Sequence, residues 1–554
     1  MSLLGSLRQG GWLREVDHAL ALSLRHAREQ TPDLVQAAAA LASRALGQGH
    51  SRLPLSQLPL LFAEIDSERE PPGLPALEDW LDVLAASPWV QASTGPQRDP
   101  AAVPADRLLV LEGDALSLRR YWNYEFRLAR ALRERAEIGP TRLQLLTGGP
   151  GTGKTTRVAR LLCDFAQARQ DGGAVDASRI ALAAPTGKAA ARLSESVRDT
   201  LVALGSQGVV PPELIAILPT EARTLHRLLG WRRDGFRHDR EHPLAVDLVV
   251  VDEASMIDLP LMCRLLEAVP DEALLVLVGD RDQLPSVDTG DVLAALCEAS
   301  ERPGSALSYC RTHLRVSHRQ AAGLQLAELA DRVRDGEADA ALRGLAADAF
   351  AGVRWRTPGE RGAQDALIAE VVPCYRALRD APDPESALRQ ARDTRVLCAV
   401  REGPFGSQTV NALVGQALDP LHGGDAWFRG RLVLVTENSY RQQLFNGDIG
   451  VAWPDEQGEM RVWFEADGGP RALLPAALPA HEAAFALTVH KSQGSEFGQV
   501  WLLLPEHGRV LSRELLYTGM TRCRQGLQLW ASEAALREAI GRRAQRWSGL
   551  AQRV

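Results

Sequence analysis

Apolar residues recur along the chain in two different patterns of spacing. In the first part, leucine and alanine return at helical spacing, for example at Leu34, Ala38 and Leu41. This spacing predicts a helical N-terminal domain over residues 1–115. A stretch rich in proline and small residues, at 92–104, is typical of a boundary region.

From residue 109 onward, short apolar runs alternate with helical segments. The runs lie at 143–146, 180–184, 248–251 and 274–278, and again at 396–400, 500–504 and 527–530. This alternation predicts an α/β fold with parallel sheets, in two domains at 116–315 and 316–554. Three further short runs, at 431–435, 450–453 and 460–464, predict a small β insertion in the second domain, at about 428–484.

Composition and charge exclude several classes of protein. The chain has 554 residues with 63 basic and 70 acidic side chains, a net charge of −7, which excludes a wholly basic nucleic-acid coat but not a local basic groove. No apolar run approaches the ~20 residues that span a bilayer, and the N-terminus has no secretory pattern. Seven scattered cysteines without a C-x-x-C pair favour a reducing cytoplasm.

Lysine is rare in this chain. Only three of the 63 basic residues are lysines, namely Lys154, Lys188 and Lys491, and each lies in a short motif that contains glycine. A lysine places a compact, flexible ammonium where a planar guanidinium fits badly. These three positions are therefore candidate functional sites.

A phosphate-binding loop follows the apolar run at 143–146. It consists of Gly148, Gly149, Pro150, Gly151, Thr152, Gly153, Lys154, Thr155 and Thr156, and a helical pattern follows it. In such a P-loop, glycines let backbone N–H groups converge on phosphate oxygens, and Lys154 reaches the β and γ phosphates. The Thr155 hydroxyl is a candidate Mg²⁺ ligand, so the loop predicts binding of ATP with Mg²⁺.

Two further strand ends carry candidate catalytic groups. Asp252 and Glu253 follow the apolar run at 248–251, and we expect Asp252 to hold Mg²⁺ and Glu253 to act as a base toward the attacking water. The run at 274–278 ends in GDRDQLP at 279–285, where Gln283 is a candidate sensor of the γ phosphate. Without the P-loop, each of these segments would be read as an ordinary polar turn.

The ordered set of motifs resembles the superfamily-one DNA helicases. Its members are the P-loop, APTGKAA at 184–190, TLH at 224–226, DEA at 252–254, GDRDQLP at 279–285, VHKSQGSEF at 489–497 and YTGMTR at 517–522. The set is similar to the branch that moves 5′ to 3′. Two more stretches, REGPFG at 401–406 and FNGDIG at 445–450, narrow the resemblance to the RecD family of exodeoxyribonuclease V alpha subunits.

The resemblance implies an architecture and residue roles. It implies two RecA-like P-loop motor domains, with an SH3-like β insertion in the second and a partner-binding N-terminal domain. Two arginines, Arg319 and Arg522, would reach across to the γ phosphate, and Glu496 would contact the ribose. Contacts with single-stranded DNA are implied for six residues: Thr186, His226, Thr488, His490, Ser492 and Gln493.

The sequence departs from the helicase pattern in two places. These helicases usually carry a glutamine that reads adenine shortly before the P-loop strand. No clear counterpart is present near 121–125, because Gln144 lies within the strand itself. The second departure is His318, which stands where an aromatic residue commonly precedes the arginine.

A basic, aromatic segment at about 231–246 surrounds the turn signal Asp234-Gly235. It predicts a short hairpin that separates strands or follows the DNA backbone, although a solvated charged loop would have the same composition.

The expected function is an ATP-dependent 5′ to 3′ translocase and DNA helicase that unwinds duplex ends for recombinational repair. The resemblance implies a bacterial, cytoplasmic heterotrimer with RecB-like and RecC-like subunits, which acts on single-stranded and duplex-end DNA without a membrane. No carboxylate–lysine nuclease cluster is recognisable in this chain, so a partner would carry the nuclease. Two alternatives remain: a non-motor subunit that binds ATP and holds a complex together, and a stand-alone helicase without a nuclease partner.

Overall fold

The computed structural model describes residues 2–65, 69–93, 104, 106–170, 179–315, 324–358, 362–421, 427–439, 441–466 and 469–554. His318 and Arg319 lie outside these residues. In the part of the chain that is described, no helix is both long and apolar enough to cross a bilayer.

The N-terminal part is mainly helical and also contains a small sheet. Its helices are α1 (Leu3–Gln9), α2 (Glu15–Ala27), α3 (Asp33–Leu46), α4 (Leu58–Ile65) and α5 (Leu77–Ala85). Its strands are β1 (Leu53–Pro54), β2 (Val90–Ser93), β3 (Leu109–Glu112) and β4 (Ala115–Leu118), in the order β1-β4-β3-β2. The helical spacing of apolar residues over 1–115 does not predict this sheet. The stretch at 92–104 joins two neighbouring strands of it, and β4 extends to Leu118.

The first α/β domain is built on six parallel strands. It begins with α6 (Arg119–Glu137), β5 (Leu143–Gly148), α7 (Lys154–Gln170), β6 (Ile180–Ala184), α8 (Gly187–Ser206), α9 (Pro212–Ile217), β7 (Ala222–Thr224) and α10 (Leu225–Leu228). It continues with the hairpin β8 (Trp231–Arg232) and β9 (Gly235–Phe236), then β10 (Leu248–Val251), α11 (Leu259–Ala268), β11 (Leu274–Gly279), α12 (Val292–Glu301) and β12 (Arg311–Leu314). The sheet order is β12-β5-β11-β10-β6-β7.

Burial on both faces explains the continuous apolar runs in this sheet. Val249 and Val251 of β10 lie in one apolar cluster, and Leu248 and Val250 lie in another on the opposite face. Strands covered by helices on both sides need apolar side chains at every position. Because the strands are parallel, the turns after β5, β10 and β11 meet at one edge of the sheet.

The second α/β domain has a five-stranded parallel sheet and an antiparallel insertion. The elements are α13 (Leu326–Asp335), α14 (Ala338–Ala346), β13 (Val353–Arg356), α15 (Ala363–Arg379), α16 (Pro384–Ala391), β14 (Thr394–Cys398), α17 (Ser407–Leu418), β15 (Leu432–Val435), β16 (Ile449–Pro454), β17 (Met460–Phe464), β18 (Arg471–Leu473), β19 (His481–Ala483), β20 (Ala486–Thr488), β21 (Phe497–Leu503), α18 (Arg513–Met520), β22 (Cys523–Trp530), α19 (Glu533–Gly541) and α20 (Leu550–Arg553). The parallel sheet has the order β13-β22-β21-β14-β20, and the insertion has the order β18-β17-β16-β15-β19. An antiparallel sheet is therefore present where the sequence predicts an insertion, while its SH3-like class stays a prediction.

The C-terminal residues leave the second domain and return to the start of the chain. Trp547 stacks on His50 with ring centroids 4.0 Å apart, and its carbonyl accepts a hydrogen bond from the Ser51 N–H at 2.9 Å. The last helix, α20, packs against α6 and α12. The end of the chain thus connects the N-terminal part, the first α/β domain and the second.

Candidate active site

The P-loop joins β5 to α7 and has the backbone geometry of a phosphate cradle. Gly151 and Gly153 adopt positive φ angles of 74° and 82°, which residues with a Cβ atom rarely adopt. Lys154 is the first residue of α7, and its Nζ donates to the carbonyls of Gly148 at 2.6 Å and Gly149 at 3.0 Å. The ammonium therefore lies over the loop, where phosphate oxygens would replace those carbonyls as acceptors.

The acidic pair lies at the end of β10. Asp252 Oδ1 accepts a hydrogen bond from the Glu253 N–H at 2.9 Å, and Glu253 holds a left-handed backbone with φ 52°. Burial and the adjacent Glu253 carboxylate raise the pKa of Asp252 to about 6. A non-glycine residue in this backbone conformation costs on the order of 1 kcal/mol and often marks a functional position.

The loop at 279–285 holds Gln283 in a buried network. Asp280 accepts hydrogen bonds from Gln283 Nε2 and from the Tyr517 hydroxyl, both at 3.2 Å. Gln283 Oε1 accepts from Arg522 Nη2 at 2.9 Å. Tyr517 and Arg522 belong to the second α/β domain, so this network crosses between the two domains.

Arg522 is a buried arginine that faces the first domain. It also donates to the backbone carbonyls of Thr518 at 3.1 Å and Ser495 at 3.4 Å. Burial lowers the pKa of Arg522 from its usual value. A buried guanidinium is costly in free energy unless it has hydrogen-bond partners. A buried charge of this kind, in a cleft beside a nucleotide site, is typical of a functional residue. Its predicted companion, Arg319, lies outside the described residues.

Arg192 is a site residue that sequence reasoning missed. It lies on α8 in the first domain and forms an ion pair with Glu496 of the second domain. The carboxylate of Glu496, with smaller contributions from Glu253 and Asp252, raises the pKa of Arg192 despite its burial. Glu496, for which the resemblance implies a ribose contact, is therefore held by Arg192 here. No spacing signal in the sequence distinguishes Arg192 from its arginine neighbours.

Of the predicted DNA contacts, the first two lie in the first α/β domain. Thr186 Oγ1 accepts from the Ala189 N–H at 3.2 Å and so caps α8. The His226 ring lies 5.9 Å from that of Phe236 in the hairpin. A hairpin is formed at 231–236, within the segment 231–246, and its Trp231 is 59% exposed at the surface.

The other four predicted DNA contacts lie in the segment 488–493 and divide into two groups. Thr488 is partly exposed and His490 is exposed. Ser492 and Gln493 are buried and turn inward: Ser492 Oγ donates to the Val489 carbonyl at 2.7 Å, and Gln493 Nε2 donates to the Leu284 carbonyl at 3.2 Å. The structure therefore brings Gln493 to the loop at 279–285.

A cavity of about 810 Å³ opens beside the P-loop. Its wall includes Gly149, Thr152 and Tyr517, together with four arginines at positions 281, 311, 315 and 334. This volume is in the usual range for ligand sites, about 300–1,000 Å³. Gln144 donates to the Pro140 carbonyl at 3.0 Å and Trp122 packs on Phe126 in the interior, and neither side chain lines this cavity.

Comparison with known proteins identifies relatives of this chain. Three sequence-family models match: the RecBCD enzyme subunit RecD N-terminal domain at residues 9–115, an AAA domain at 133–289, and a UvrD-like helicase C-terminal domain at 483–529. The RecBCD enzyme subunit RecD of Mycolicibacterium smegmatis is 38% identical over 597 residues, which cover 100% of this chain and 99% of that protein. The chain belongs to the RecD family.

The chain is also similar to a named DNA helicase and to a solved structure. The ATP-dependent RecD2 DNA helicase of Deinococcus radiodurans is 34% identical over 425 residues, which cover 76% of this chain and 51% of that protein. Among solved structures, Bacteroides Pif1 bound to single-stranded DNA is 16% identical with a TM-score of 0.37, and the match covers 73% of this chain and 92% of that one.

Proposed function

We propose that this RecD-family chain is the ATP-dependent helicase subunit of a RecBCD-type exodeoxyribonuclease V, moving 5′ to 3′ on single-stranded DNA and unwinding duplex ends. The observation that carries the proposal is the hydrogen bond between Arg522 of the second motor domain and Gln283 of the first. A cation delivered from one domain to the nucleotide site of the other makes hydrolysis depend on the position of the two domains.

Each catalytic group has a defined task in this proposal. Lys154 binds the β and γ phosphates in exchange for the carbonyls of Gly148 and Gly149. Glu253 accepts the proton of the attacking water, and Gln283 orients that water. Arg522 balances the charge that develops on the γ phosphate in the transition state. Arg319 is proposed for the same task, and Glu496 for the ribose.

Mg²⁺ is part of the proposed cofactor, and the residues present suit it. Asp252 is buried beside the carboxylate of Glu253, which raises the pKa of Asp252, and a divalent cation would stabilise the charged form of the pair. Thr155 and Asp252 would hold the ion, which supplies charge neutralisation to the phosphates when bound. Among the described residues, no three acidic, histidine or cysteine side chains form a metal cluster, which suits an ion bound mainly through phosphates and water.

The DNA path is proposed to run past Thr186, His226, Thr488 and His490. Ser492 and Gln493 lie behind this surface and support it from within. The hairpin at 231–236 presents an exposed Trp231, which suits stacking on a base or separation of two strands. Contacts with backbone phosphates would make binding dependent on salt and weakly selective for sequence.

The proposed setting is a heterotrimer in the bacterial cytoplasm. RecB-like and RecC-like subunits would bind this chain, with residues 1–115 as the partner-binding domain. The proposal assigns 116–315 and 316–554 to the two motor domains, although Trp547 stacks on His50 of the N-terminal part and residues 550–553 pack on the first motor domain. Nuclease activity would belong to a partner.

A strand-displacement assay tests this function. The chain, alone and with its partner subunits, is given duplexes that carry a single-stranded tail on either the 5′ or the 3′ side. We expect ATP-dependent unwinding from the 5′ tail, and we expect Arg522→Ala to abolish the part due to this chain. The assembly with Arg522→Lys, compared with the wild-type assembly, is the matched control, because lysine keeps the positive charge. Unwinding only from the 3′ tail would refute the direction, and no effect of Arg522→Ala in the assembly would refute the motor.

A further inference from the structure

The turn at 47–50 brings the N-terminal part of the chain close to the proposed DNA path. One short stretch of the first motor domain, 284–290, contacts both. The carbonyl of its first residue accepts from Gln493 Nε2 at 3.2 Å, in the segment 488–493. The N–H of its last residue donates to the Gly49 carbonyl at 2.8 Å. The turn and the DNA-binding segment are therefore joined through a single stretch of seven residues.

Three arginines surround this turn. Arg14 Nη2 donates to the Ser43 carbonyl at 2.9 Å, near the end of α3, and Arg44 is the next residue of that helix. Arg546 comes from the C-terminal residues and donates to the Gln48 carbonyl within the turn. Together, Arg14, Arg44 and Arg546 form the arginine cluster.

Two glycines leave the room that these guanidinium groups occupy. A Cβ atom at Gly47 would overlap the guanidinium of Arg14, and a Cβ atom at Gly49 would overlap that of Arg546. Gly49 also has a positive φ of 90°, which residues with a Cβ atom rarely adopt. The backbone of the turn thus has a shape that lets two planar cations lie directly against it.

Positive charge is concentrated at the arginine cluster. Burial lowers the pKa of Arg44, and the charges of Arg14 and of Arg509 in the second motor domain lower it further, while Asp17 opposes them. The Asp17 side chain is fully buried, whereas that of Arg14 is 42% exposed. Guanidinium groups held beside one another repel, and an anion bound among them would offset that cost.

Arg546 is the member of the cluster that reaches the DNA path. Burial lowers its pKa, and the carboxylates of Asp291 and Glu64 oppose this shift. Both carboxylates have other partners, because Asp291 caps α12 and Glu64 lies 2.8 Å from His50 Nε2. The surrounding protein and the charge of Arg546 together lower the pKa of His490. His490 is therefore neutral at pH 7, which leaves the positive charge at this point of the path to Arg546.

We propose that the arginine cluster is a phosphate-binding surface that extends the DNA path from His490 onto the N-terminal part of the chain. Its ligand is the sugar–phosphate backbone of single-stranded DNA, because a guanidinium fork matches phosphate oxygens whichever base they carry. The N-terminal part then contributes to DNA binding as well as to contact with partner subunits. The inference rests on the proposed function, since it requires that a DNA strand runs past His490.

The salt dependence of binding counts the phosphate contacts. Affinity of the full-length chain for a fluorescent oligo-dT strand is measured by anisotropy over a range of salt concentrations, and the logarithm of affinity is plotted against that of salt. Each phosphate contact with a single strand contributes ~0.7 to the slope of this plot. We expect Arg44→Gln and Arg546→Gln each to reduce the slope by about 0.7, and the double variant by about 1.4. Arg44→Lys keeps the charge and should keep the parental slope.

A control variant and a stability measurement separate this role from a structural one. Arg25→Gln removes an exposed arginine near the other end of α2, about 16 Å along the helix from Arg14, and should leave the slope unchanged. Thermal unfolding identifies any variant that has simply lost its fold.

The outcomes distinguish the inference from the proposed function. A parental slope in both Arg44→Gln and Arg546→Gln would overturn the role of the arginine cluster alone. An equal loss of slope in Arg25→Gln would show a general effect of charge and would also overturn it. A parent chain that does not bind oligo-dT would overturn the proposed function and the cluster with it.

Discussion

Replacing Glu125 by alanine should release the C-terminal residues from the rest of the molecule. This α6 carboxylate is 2% exposed and accepts hydrogen bonds from two parts of the chain, Ser51 and the C-terminal residues 548–553. Its Oε1 accepts from Ser51 Oγ at 2.5 Å, Ser548 Oγ at 2.7 Å and the Gly549 N–H at 2.9 Å. Its Oε2 lies 3.5 Å from Arg553 Nε. Alanine would remove this acceptor from the buried Gly549 N–H, whereas the Ser51 hydroxyl would keep the Trp547 carbonyl at 3.1 Å.

The expected cost follows from the burial of the charges. Removing one member of a buried ion pair costs about 3–5 kcal/mol, because the remaining charge is left uncompensated. Arg553 keeps its second ion pair, with Glu112, which favours the lower end of that range. At ~2–4 °C per kcal/mol, the melting temperature of the affected part should fall by roughly 10 °C. Glu125→Gln keeps one acceptor oxygen and should cost about 1–2 kcal/mol.

Two measurements check this prediction. Thermal unfolding compares the wild type with Glu125→Gln and Glu125→Ala, and hydrogen exchange follows the amides of residues 547–554. We expect the Gly549 amide to exchange much faster in Glu125→Ala, because it loses its acceptor and the helix α20 is no longer anchored. An unchanged melting temperature together with unchanged exchange at Gly549 would refute the reasoning that this carboxylate anchors the C-terminus.

The remaining predictions concern the nucleotide site. The pKa of Asp252 is raised to about 6, so below this pH Mg²⁺ must displace a proton in order to bind. We therefore expect the affinity for Mg²⁺ to rise with pH up to about 6 and then to level off. Titration with Mg²⁺ from pH 5 to 8 checks this, and an affinity independent of pH would contradict it. Arg192→Glu should slow ATP hydrolysis by on the order of tenfold, because it reverses the charge beside Glu496. The double variant Arg192→Glu with Glu496→Arg should recover part of the activity. Steady-state hydrolysis checks this, and a double variant no faster than the single one would argue against the ion pair. Arg522→Lys should lower kcat far more than the KM for ATP, since a point charge replaces a planar guanidinium, and equal changes in both would contradict a role in the transition state.

The central strands of both sheets could be predicted from the sequence, because burial on two faces makes them continuous apolar runs. The runs at 180–184 and 248–251 match β6 and β10 residue for residue. Strands at the edges escaped prediction: β7 has the sequence Ala-Arg-Thr and β12 has Arg-Thr-His-Leu, and neither is fully buried. Such short polar segments owe their strand conformation to pairing with a neighbour, which local sequence does not report.

The candidate site was predictable only where a motif carries its own local geometry. The P-loop requires glycines at positions of positive φ, so its pattern stands out in a single sequence. The positions of Arg192 and Glu125 in the structure depend on contacts with residues about 300 to 430 positions away in the chain. Local spacing patterns in a sequence do not report contacts at that separation. The inward orientation of Ser492 and Gln493 likewise follows from tertiary packing, since both lie in a segment that composition alone places at a polar surface.

ATP hydrolysis in this chain is proposed to be stimulated by contact with DNA, through the interface between the two motor domains. The most direct measurement is the rate of ATP hydrolysis by the purified chain, with its partner subunits present or absent, before and after addition of single-stranded DNA. Lys154→Gln serves as the matched variant. We predict strong stimulation by DNA in the wild type and its loss in Lys154→Gln, because glutamine cannot supply the ammonium that binds the phosphates. No stimulation in either the isolated chain or the assembly would contradict the account and favour a subunit that binds ATP only to hold the complex together.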